Sequence, residues 1–475
     1  MRKLKLKYGL EDWRGKIGEE VNNNSIAEIA QAFSNYLFER NESRERIKVA
    51  VGYDTRKTSK EFALLFARIL SGNSIVSLLS EKSGISPAVS NYVRSNNLNA
   101  GVIITGGHKS VDYNGIKFKD FYGGPFSCAD SISIENYLGE SLVQADDEFI
   151  HQVDIRSRYY ESIEPLIDFE AIRHSGIKIL IDSMSAAGQQ ILENLFFKHD
   201  IDSKTIFKIA EHDFSQRIPL VIEENLLPLK NELAKTDKYS FGIATDGDGE
   251  RLGILTEAGE WVSQQELSIL LADYILNDRG ISGDIVKTAT LSDKMKIITD
   301  SLNRKIIETN LGFRYVTELL LKNNIAFGCE ETGTYSFKNH IPDSDGVFFA
   351  LIVTEMLARS GYKKLSDLIN LKRNVYGEIF FKREKLIIEE THRSLFTRLT
   401  DSPFSTLGEF KVREVKLFNG RKENKSAIKF IFEGDFKWVV IRISESSPIL
   451  KIFAEGNSMD EVSRLIALTK KFLVS

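Results

Sequence analysis

Cysteines and long apolar runs are scarce in this chain. Only two of its 475 residues are cysteines, Cys128 and Cys329, and they form no metal-binding spacing motif. A low cysteine count is typical of proteins from a reducing compartment. The longest apolar run covers residues 347–353, far short of the ~20 residues that span a bilayer. The basic N-terminal segment has no apolar core of signal-peptide length, so we expect a cytoplasmic protein.

A strong charge of either sign is also absent. The chain has 63 lysine and arginine residues against 67 aspartate and glutamate residues, a formal net charge of −4. This balance gives no global argument for binding nucleic acid or an anionic membrane. The length predicts about three or four domains, although no segment rich in proline or glycine separates them.

Strand–helix alternation is the main pattern along the chain. Segments 46–54, 177–182 and 284–290 each predict a strand followed by a helix, and residues 58–61 resemble a capping box at the start of the first helix. Such alternation favours parallel sheets. We therefore predict three consecutive α/β domains with mixed, mainly parallel sheets, followed by a smaller C-terminal α+β domain. The predicted domains cover residues 1–150, 151–262, 263–375 and 376–475.

The stretch 101–117, GVIITGGHKSVDYNGIK, is the most informative part of the sequence. It resembles the phosphoserine loop of the α-D-phosphohexomutases, the phosphoglucomutase/phosphomannomutase family, in which T-A-S-H-N-P is followed by N-G-x-K. The resemblance implies that Gly107 stands where the family has a phosphorylated serine, and glycine cannot be phosphorylated. It also implies a phosphate or structural contact for His108 and a role in proton transfer for Lys117. By pattern alone, paired glycines more often mark a turn.

Several N-terminal segments fit the same family. Tyr8-Gly9 and the segment 12–15 (DWRG) resemble the family's G-T-x-G-W-R-G, which places Arg14 at a catalytic-site arginine. Residues 51–56 (VGYDTR) match its V-G-Y-D-x-R. The resemblance extends over most of the chain and implies domains arranged around a central cleft.

Residues 246–251, DGDGER, lie between two apolar segments that predict strands. The pattern alone is typical of a hairpin turn, and it does not fit a calcium loop, because Arg251 stands where that loop needs glycine. It resembles the family's D-G-D-A-D-R, whose aspartates hold Mg²⁺. The resemblance implies Mg²⁺ as a cofactor on Asp246, Asp248 and Glu250, with Arg251 beside them. We expect weaker binding, because Glu250 is one methylene longer than aspartate and the family's phosphoserine ligand is missing.

Two later loops extend the resemblance. Residues 328–334 resemble the sugar-recognition loop G-E-E-S-G-H, with threonine in place of its histidine. Residues 442–448 resemble R-P-S-G-T-E-P, which cradles the substrate's other phosphate, although Glu445 would repel that group. By pattern alone, these segments would be a solvated acidic pair and a polar turn. The implied sugar-binding residues are Glu330, Glu331 and Thr334, and the implied phosphate-binding residues are Arg442, Ser444, Ser446 and Ser447.

Three functions are consistent with these motifs. We prefer a phosphosugar-binding relative whose mutase cycle is lost or altered, such as a sensor or a subunit of a larger complex. The second is a Mg²⁺-dependent intramolecular phosphotransferase that uses Ser110, His108 or a bound sugar bisphosphate as phosphoryl carrier. The third is a metal-dependent phosphatase in which water enters the space left by Gly107. The expected ligand is a hexose phosphate or related phosphosugar; we expect no nucleic acid or membrane, and a protein partner stays open.

Overall fold

The structure is a computed structural model that describes residues 12–41, 46–388, 390–421, 424–444 and 448–474. The chain forms two compact units. Unit 1 contains Met1–Val262 and Thr332–Asn370, and unit 2 contains Ser263–Glu331 and Leu371–Ser475. Three α/β segments follow one another along the chain, and a segment built on an antiparallel sheet ends it. The predicted fold class is therefore confirmed.

The first α/β segment lies in unit 1. Its elements are β1 (Asp12–Lys16), α1 (Asn23–Arg40), β2 (Lys48–Tyr53), α2 (Ser59–Gly72), β3 (Val76–Ser80), α3 (Ser86–Ser95), β4 (Ala100–Ile104), β5 (Tyr113–Asp120), α4 (Cys128–Asn136) and β6 (Ile150–Val153). The sheet order is β1-β5-β4-β2-β3-β6. Strands β2, β3, β4 and β6 run parallel, whereas β5 pairs antiparallel with both β4 and β1. This arrangement sets β1 beside the loop that follows β4.

The start of α2 differs from the prediction. Thr58 precedes the helix, but its side chain caps no helical N–H group. Its Oγ1 instead accepts a hydrogen bond from Asn114 Nδ2 at 3.0 Å. The capping-box prediction was therefore wrong, because Thr58 has a helical backbone (φ −93°, ψ −10°), whereas a capping residue is usually extended.

The second α/β segment also belongs to unit 1. Its elements are α5 (Ile155–Ile163), α6 (Phe169–Ser175), β7 (Ile179–Asp182), α7 (Ile191–Lys198), β8 (Ser203–Ile206), α8 (Leu227–Leu233), β9 (Phe241–Thr245), β10 (Leu252–Thr256) and β11 (Trp261–Val262), with 3₁₀ helices at Glu164–Leu166, Phe214–Gln216 and Glu223–Leu226. The sheet order is β11-β10-β9-β7-β8. Strands β7, β8 and β9 are parallel, and β9 and β10 form an antiparallel hairpin. The acidic loop 246–251 connects these two strands.

The third α/β segment begins in unit 2. Its elements there are α9 (Gln264–Asp273), a π-helix (Tyr274–Asp278), β12 (Asp284–Thr288), α10 (Met295–Ser301), β13 (Ile306–Thr309), α11 (Phe313–Lys322) and β14 (Ile325–Glu330). Strand β12 pairs in parallel with β13 and β14. The chain then enters unit 1 for β15 (Thr334–Phe337) and α12 (Gly346–Ser360), and α13 (Leu365–Tyr376) leads back to unit 2.

The C-terminal segment of unit 2 is built on one antiparallel sheet. Its elements are β16 (Phe380–Ile387), α14 (Glu390–Asp401), β17 (Thr406–Leu407), β18 (Phe410–Asn419), β19 (Lys425–Phe432), β20 (Trp438–Ile443), β21 (Ile449–Gly456) and α15 (Met459–Val474). The sheet order is β16-β21-β20-β19-β18-β17. Across the described part of the chain, no helix is both long and apolar enough to cross a membrane.

Candidate active site

The loop between β4 and β5 contains the position of the missing serine. Gly107 has a left-handed backbone with a φ of +55°, a conformation that other residues rarely adopt. Its N–H donates to Thr105 Oγ1 at 2.8 Å, and that hydroxyl donates to Asp54 Oδ2 at 2.8 Å. The loop is therefore held through its backbone in a conformation that suits glycine.

One buried arginine, Arg56, holds this loop in place. Its exposed fraction is 2%, and its Nε donates to Asp54 Oδ2 at 3.1 Å. The two terminal nitrogens donate to four backbone carbonyls of the loop. These carbonyls belong to Gly107 (2.8 Å), Lys109 (2.7 Å), Ser110 (2.6 Å) and Tyr113 (3.0 Å). The VGYDTR motif contains Arg56, but the sequence did not indicate this role, because the carbonyls are more than 50 positions away.

The guanidinium of Arg14 lies where a side chain at position 107 would begin. A Cβ atom built on Gly107 would stand 2.6 Å from Arg14 Nη2. Arg14 forms an ion pair with Asp12, and its Nη1 lies 3.5 Å from His108 Nδ1. Because β1 pairs with β5, Arg14 is fixed opposite Gly115. A serine side chain could enter this loop only if the arginine moved.

His108 is surrounded by cations. Desolvation and the positive charges of Arg251, Arg14 and Lys109 hold the pKa of His108 well below its ordinary value. The imidazole is therefore neutral at neutral pH. It contributes no positive charge toward a phosphate, but one ring nitrogen keeps a lone pair.

The acidic loop folds back on itself and onto a lysine. Asp246, Asp248 and Glu250 are all buried, and Asp246 Oδ1 accepts the N–H groups of Glu250 at 2.9 Å and Arg251 at 3.0 Å. Asp248 Oδ2 lies 2.6 Å from Lys117 Nζ, and Glu250 Oε2 lies 2.5 Å from the same ammonium group. The lysine thus bridges two of the three predicted metal ligands.

The charges of this cluster determine its protonation states. Burial by itself would lower the pKa of Lys117, but Asp248 and Glu250 raise it above its ordinary value. Burial would likewise raise the pKa of Glu250, but Lys117 and Lys119 bring it below its ordinary value. The pKa of Asp246 is raised by burial and by the nearby Asp248. Lys117 is therefore an ammonium group at neutral pH, where it has no lone pair with which to accept a proton.

Two further buried charges were missed by the sequence analysis. Lys119 follows Lys117 by two positions on β5, so both lie on one face of the strand. Its Nζ is 2.6 Å from Asp343 Oδ2 and 3.3 Å from Glu250 Oε1, and Ser90 Oγ also donates to Asp343 at 2.6 Å. These partners are 131 and 224 positions from Lys119, so no local pattern could indicate them.

The resemblance to the family implies Mg²⁺ at the acidic loop, and the donor set does not fit that ion. Both carboxylate oxygens of Glu250 face ammonium groups. Within the described residues, no group of three or more His, Cys, Asp or Glu side chains is arranged to hold a metal ion. The predicted ligands Asp246, Asp248 and Glu250 are adjacent, but their oxygens do not converge on a vacant cation position.

The predicted sugar-binding residues begin at the end of β14. Glu330 is the last residue of that strand, and Glu330 and Glu331 are both buried. Glu331 Oε2 lies 3.4 Å from Arg383 Nη1 on β16. The chain passes from unit 2 to unit 1 between Glu331 and Thr332, and the buried Thr334 begins β15. The glutamates are therefore not a solvated surface pair.

Two of the predicted phosphate-binding residues, Arg442 and Ser444, lie at the C-terminal end of β20. Arg442 is half-buried on β20, and the N–H of Ser444 donates to the Ile449 carbonyl at 2.8 Å. Some of the residues named from the sequence fall outside the described part of the chain. They are Tyr8, Gly9, Glu445, Ser446 and Ser447.

A row of cations crosses this sheet. Lys451 on β21 pairs in register with Arg442 on β20 and with Lys385 on β16, so the three side chains lie on one face. Burial and the charge of Arg442 lower the pKa of Lys451 to about 8, although Glu331 opposes the shift. Lys451 was not predicted, although it stands out as a single lysine within the apolar run 449–454. Clustered positive charge of this kind attracts anions.

The structure thus brings the predicted residues together in two groups, one in each unit. The group in unit 1 contains Arg14, Gly107, His108, Lys117, Asp246, Asp248, Glu250 and Arg251. The group in unit 2 contains Glu331 and Arg442, which both lie close enough to Lys451 to influence its charge. Phosphate chemistry is consistent with both groups, because each presents cations at a buried or half-buried position.

Profiles of a single family match most of the chain. Domain I of phosphoglucomutase/phosphomannomutase, an alpha/beta/alpha domain, matches residues 5–142. Domain II of the same family matches residues 157–259, and domain III matches residues 263–375.

Named relatives match almost the whole length of the chain. The phosphoglucomutase/phosphomannomutase of Thermococcus kodakarensis is 29% identical over 476 residues, which cover 98% of each chain. The phosphoglucosamine mutase of Caldicellulosiruptor saccharolyticus is 24% identical over 469 residues, which cover 96% of each chain. The C-terminal segment is therefore included in the similarity.

Solved structures have the same fold. A phosphoglucomutase/phosphomannomutase family protein from Burkholderia thailandensis aligns with a TM-score of 0.84 at 19% identity, covering 98% of this chain and 96% of that one. The pp63/parafusin phosphoglucomutase of Paramecium aligns with a TM-score of 0.81 at 18% identity, covering 99% and 96%. The three domain profiles, the full-length relatives and the shared fold show that the chain belongs to the phosphoglucomutase/phosphomannomutase family of α-D-phosphohexomutases.

Proposed function

We propose that this chain is a phosphosugar-binding phosphohexomutase relative in which the usual exchange of phosphate between the 1- and 6-positions of a hexose is lost. The observation that carries the proposal is the position of the Arg14 guanidinium, which lies where a side chain at position 107 would have its Cβ atom. A phosphoryl relay needs an acceptor oxygen at that position. Glycine supplies none, and the guanidinium occupies the adjacent space.

The protonation states support the same conclusion. The resemblance assigns proton transfer at the sugar hydroxyl to Lys117, but Asp248 and Glu250 keep this lysine charged. A general base needs a pKa near the operating pH. In this chain Lys117 is an ion-pair partner, and a charged lysine can still donate hydrogen bonds to a ligand.

Recognition of the phosphosugar would use the second group of residues. Arg442 and Lys451 provide positive charge for a phosphate, and Glu330 and Glu331 provide acceptors for sugar hydroxyls. Binding by these groups involves no covalent step. Binding without turnover is therefore the expected behaviour.

An activity assay tests this proposal. The full chain is incubated with glucose, mannose or glucosamine 1-phosphate and the matching 1,6-bisphosphate, with and without Mg²⁺, and 6-phosphate formation is followed. Binding of each monophosphate is measured by calorimetry. We expect binding and no turnover. Turnover by the unmodified chain would contradict the proposal, and so would a lack of binding to every phosphosugar.

The Gly107→Ser variant extends the assay. Because φ at this position is +55° and the new Cβ would meet Arg14, we expect a loss of about 1–3 kcal/mol in stability and no gain of turnover. Thermal unfolding and the same mutase assay measure both effects. Turnover gained by this single change would show that the hydroxyl alone is missing and that Arg14 does not obstruct it.

A second candidate function is favoured by the state of His108. Its neutral imidazole has the lone pair that a phosphoryl acceptor needs, and it is adjacent to Gly107. An enzyme of this kind would carry phosphohistidine, which is acid-labile, after incubation with a sugar bisphosphate. Mass spectrometry at neutral pH distinguishes it from phosphorylation of Ser110. Phosphate on either residue would favour the phosphotransferase over the binding protein.

The pH dependence of binding tests the role of Lys451. Burial and Arg442 place its pKa at about 8, so the ammonium form that attracts a phosphate dianion is lost as the pH rises through that value. We expect the affinity for a hexose phosphate to fall by about tenfold in total as the pH rises above about 8 and then to level off. In Lys451→Met, affinity should already be about tenfold weaker at neutral pH and should show no such fall.

Lys411 on β18 supplies the matched control. This lysine is exposed and pairs with Glu433 on the surface, so Lys411→Met should keep the affinity and the pH profile of the unmodified chain. Calorimetry across the pH range gives all three profiles. An unchanged profile in Lys451→Met would show that the lysine does not face the phosphate.

A further inference from the structure

The carboxylates of the acidic loop already have cationic partners from the protein itself. Lys117 Nζ contacts Asp248 Oδ2 at 2.6 Å and Glu250 Oε2 at 2.5 Å. Lys119 Nζ contacts the other oxygen of Glu250 at 3.3 Å and Asp343 Oδ2 at 2.6 Å. All five residues belong to unit 1 and are buried. Two ammonium groups therefore lie among carboxylates that could otherwise serve a divalent cation.

The length of Glu250 makes this arrangement possible. Its side chain is one methylene longer than aspartate, and its two oxygens reach two different lysines on the same face of β5. Asp246 is restrained in another way, because its Oδ1 accepts two backbone N–H groups of the loop. Asp248 and one oxygen of Glu250 thus converge on an ammonium group, whereas the other Glu250 oxygen and Asp246 Oδ1 are directed to other donors. The carboxylates do not form the near-octahedral oxygen set that Mg²⁺ requires.

Binding of a divalent cation would also leave buried charges without partners. An ion held by Asp248 and Glu250 would compete with Lys117 for both of its carboxylates. The lysine side chain is only 4% exposed, and a buried ammonium group without a counter-charge is strongly unfavourable. Repulsion between the metal and two adjacent ammonium groups would add to that cost.

We propose that the ammonium group of Lys117, supported by the Lys119–Asp343 pair, takes the place of the divalent cation at the acidic loop, so that this loop binds no Mg²⁺. Lys117 is then a permanent internal counter-ion that bridges Asp248 and Glu250. Lys119 is a positioning residue that turns the second oxygen of Glu250 away from the loop. The proposal concerns the binding of a metal, and it holds whether or not the chain has mutase turnover.

A measurement of manganese binding tests this proposal without a sugar ligand or an activity assay. Free Mn²⁺ gives an electron paramagnetic resonance signal that is lost when the ion binds to protein, and Mg²⁺ competition identifies a site for hard cations. We expect the full, unmodified chain to leave the signal unchanged up to millimolar protein. In Lys117→Met, with the bridging ammonium removed, we expect affinity for Mn²⁺ to rise by about tenfold or more and Mg²⁺ to raise the melting temperature.

Two further variants make the test decisive. Lys117→Arg keeps the positive charge and should bind no Mn²⁺. If Lys117→Met fails to fold, Lys117→Gln removes the positive charge but keeps a hydrogen-bond donor beside Asp248 and Glu250. Stoichiometric Mn²⁺ binding by the unmodified chain, displaced by Mg²⁺, would overturn the proposal. A folded Lys117→Met or Lys117→Gln variant that binds no Mn²⁺ would also overturn it, because Lys117 would then not be what excludes the ion.

Discussion

Arg56→Met should destabilise the protein by about 3–5 kcal/mol, the range measured when one partner of a buried charge pair is removed. Arg56 is 2% exposed, and the substitution leaves the buried Asp54 without its ion pair. Four loop carbonyls lose the same donor group. Each unsatisfied buried acceptor costs about 1–3 kcal/mol. Four of them would exceed the expected loss unless water enters the loop and hydrogen-bonds the carbonyls.

Chemical denaturation followed by circular dichroism measures this effect as a shift of the first unfolding transition, since a chain of several domains need not unfold in one step. Hydrogen exchange of the peptide covering 105–113 should speed up even under conditions where the fold persists. Arg68→Met is the matched control. Arg68 and its partner Asp147 are 46% and 63% exposed, so the transition should not move. An unchanged transition in Arg56→Met would show that the loop holds its conformation without this arginine.

Gly247→Ala is expected to have the second large effect, because it forces apart the two loops of the unit 1 group. A Cβ atom on Gly247 would stand 2.2 Å from the Gly107 carbonyl oxygen and 3.1 Å from Pro219 Cγ. The carbonyl cannot retreat freely, since Arg56 binds it at 2.8 Å. Gly247 is itself fixed by its N–H bond to the Pro219 carbonyl at 3.0 Å. We expect a loss of about 3 kcal/mol, at the upper end for overpacking.

Gly84→Ala is the control for Gly247→Ala. Its built Cβ meets no atom within 4 Å and its φ lies outside the left-handed region, so stability should stay the same or rise by about 0.4–1 kcal/mol. Denaturation midpoints compare the two alanine variants directly. If Gly247→Ala matched Gly84→Ala, the close approach of the two loops would not exist in solution.

Local patterns in the sequence predicted the regular elements well. Strands were expected within 46–54, 177–182 and 284–290, where the structure has Lys48–Tyr53, Ile179–Asp182 and Asp284–Thr288. All three follow from a short-range signal, a run of apolar residues. The capping box at Thr58 was wrong because the backbone of that residue is helical, which the residue type alone does not reveal.

The candidate site was predictable only where the chemistry lies within a motif. The acidic loop and the position of Gly107 could be located from short segments. The guanidinium of Arg14 lies where a Cβ atom on Gly107 would stand because β1 and β5 pair in one particular register. No local sequence pattern encodes that register. Lys119 and Asp343 were missed for the same reason, since burial and pairing come from folding rather than from spacing.

The left-handed backbone at Gly107 also bears on how this position can change during evolution. A substitution to serine there brings backbone strain and a collision with Arg14 in the same step. A change at Arg14 alone would leave Asp12 without its ion pair and would add no hydroxyl. Only the collision depends on the other position, so we expect the effects of the two replacements to be non-additive. The backbone strain of a serine at position 107 would persist in either background.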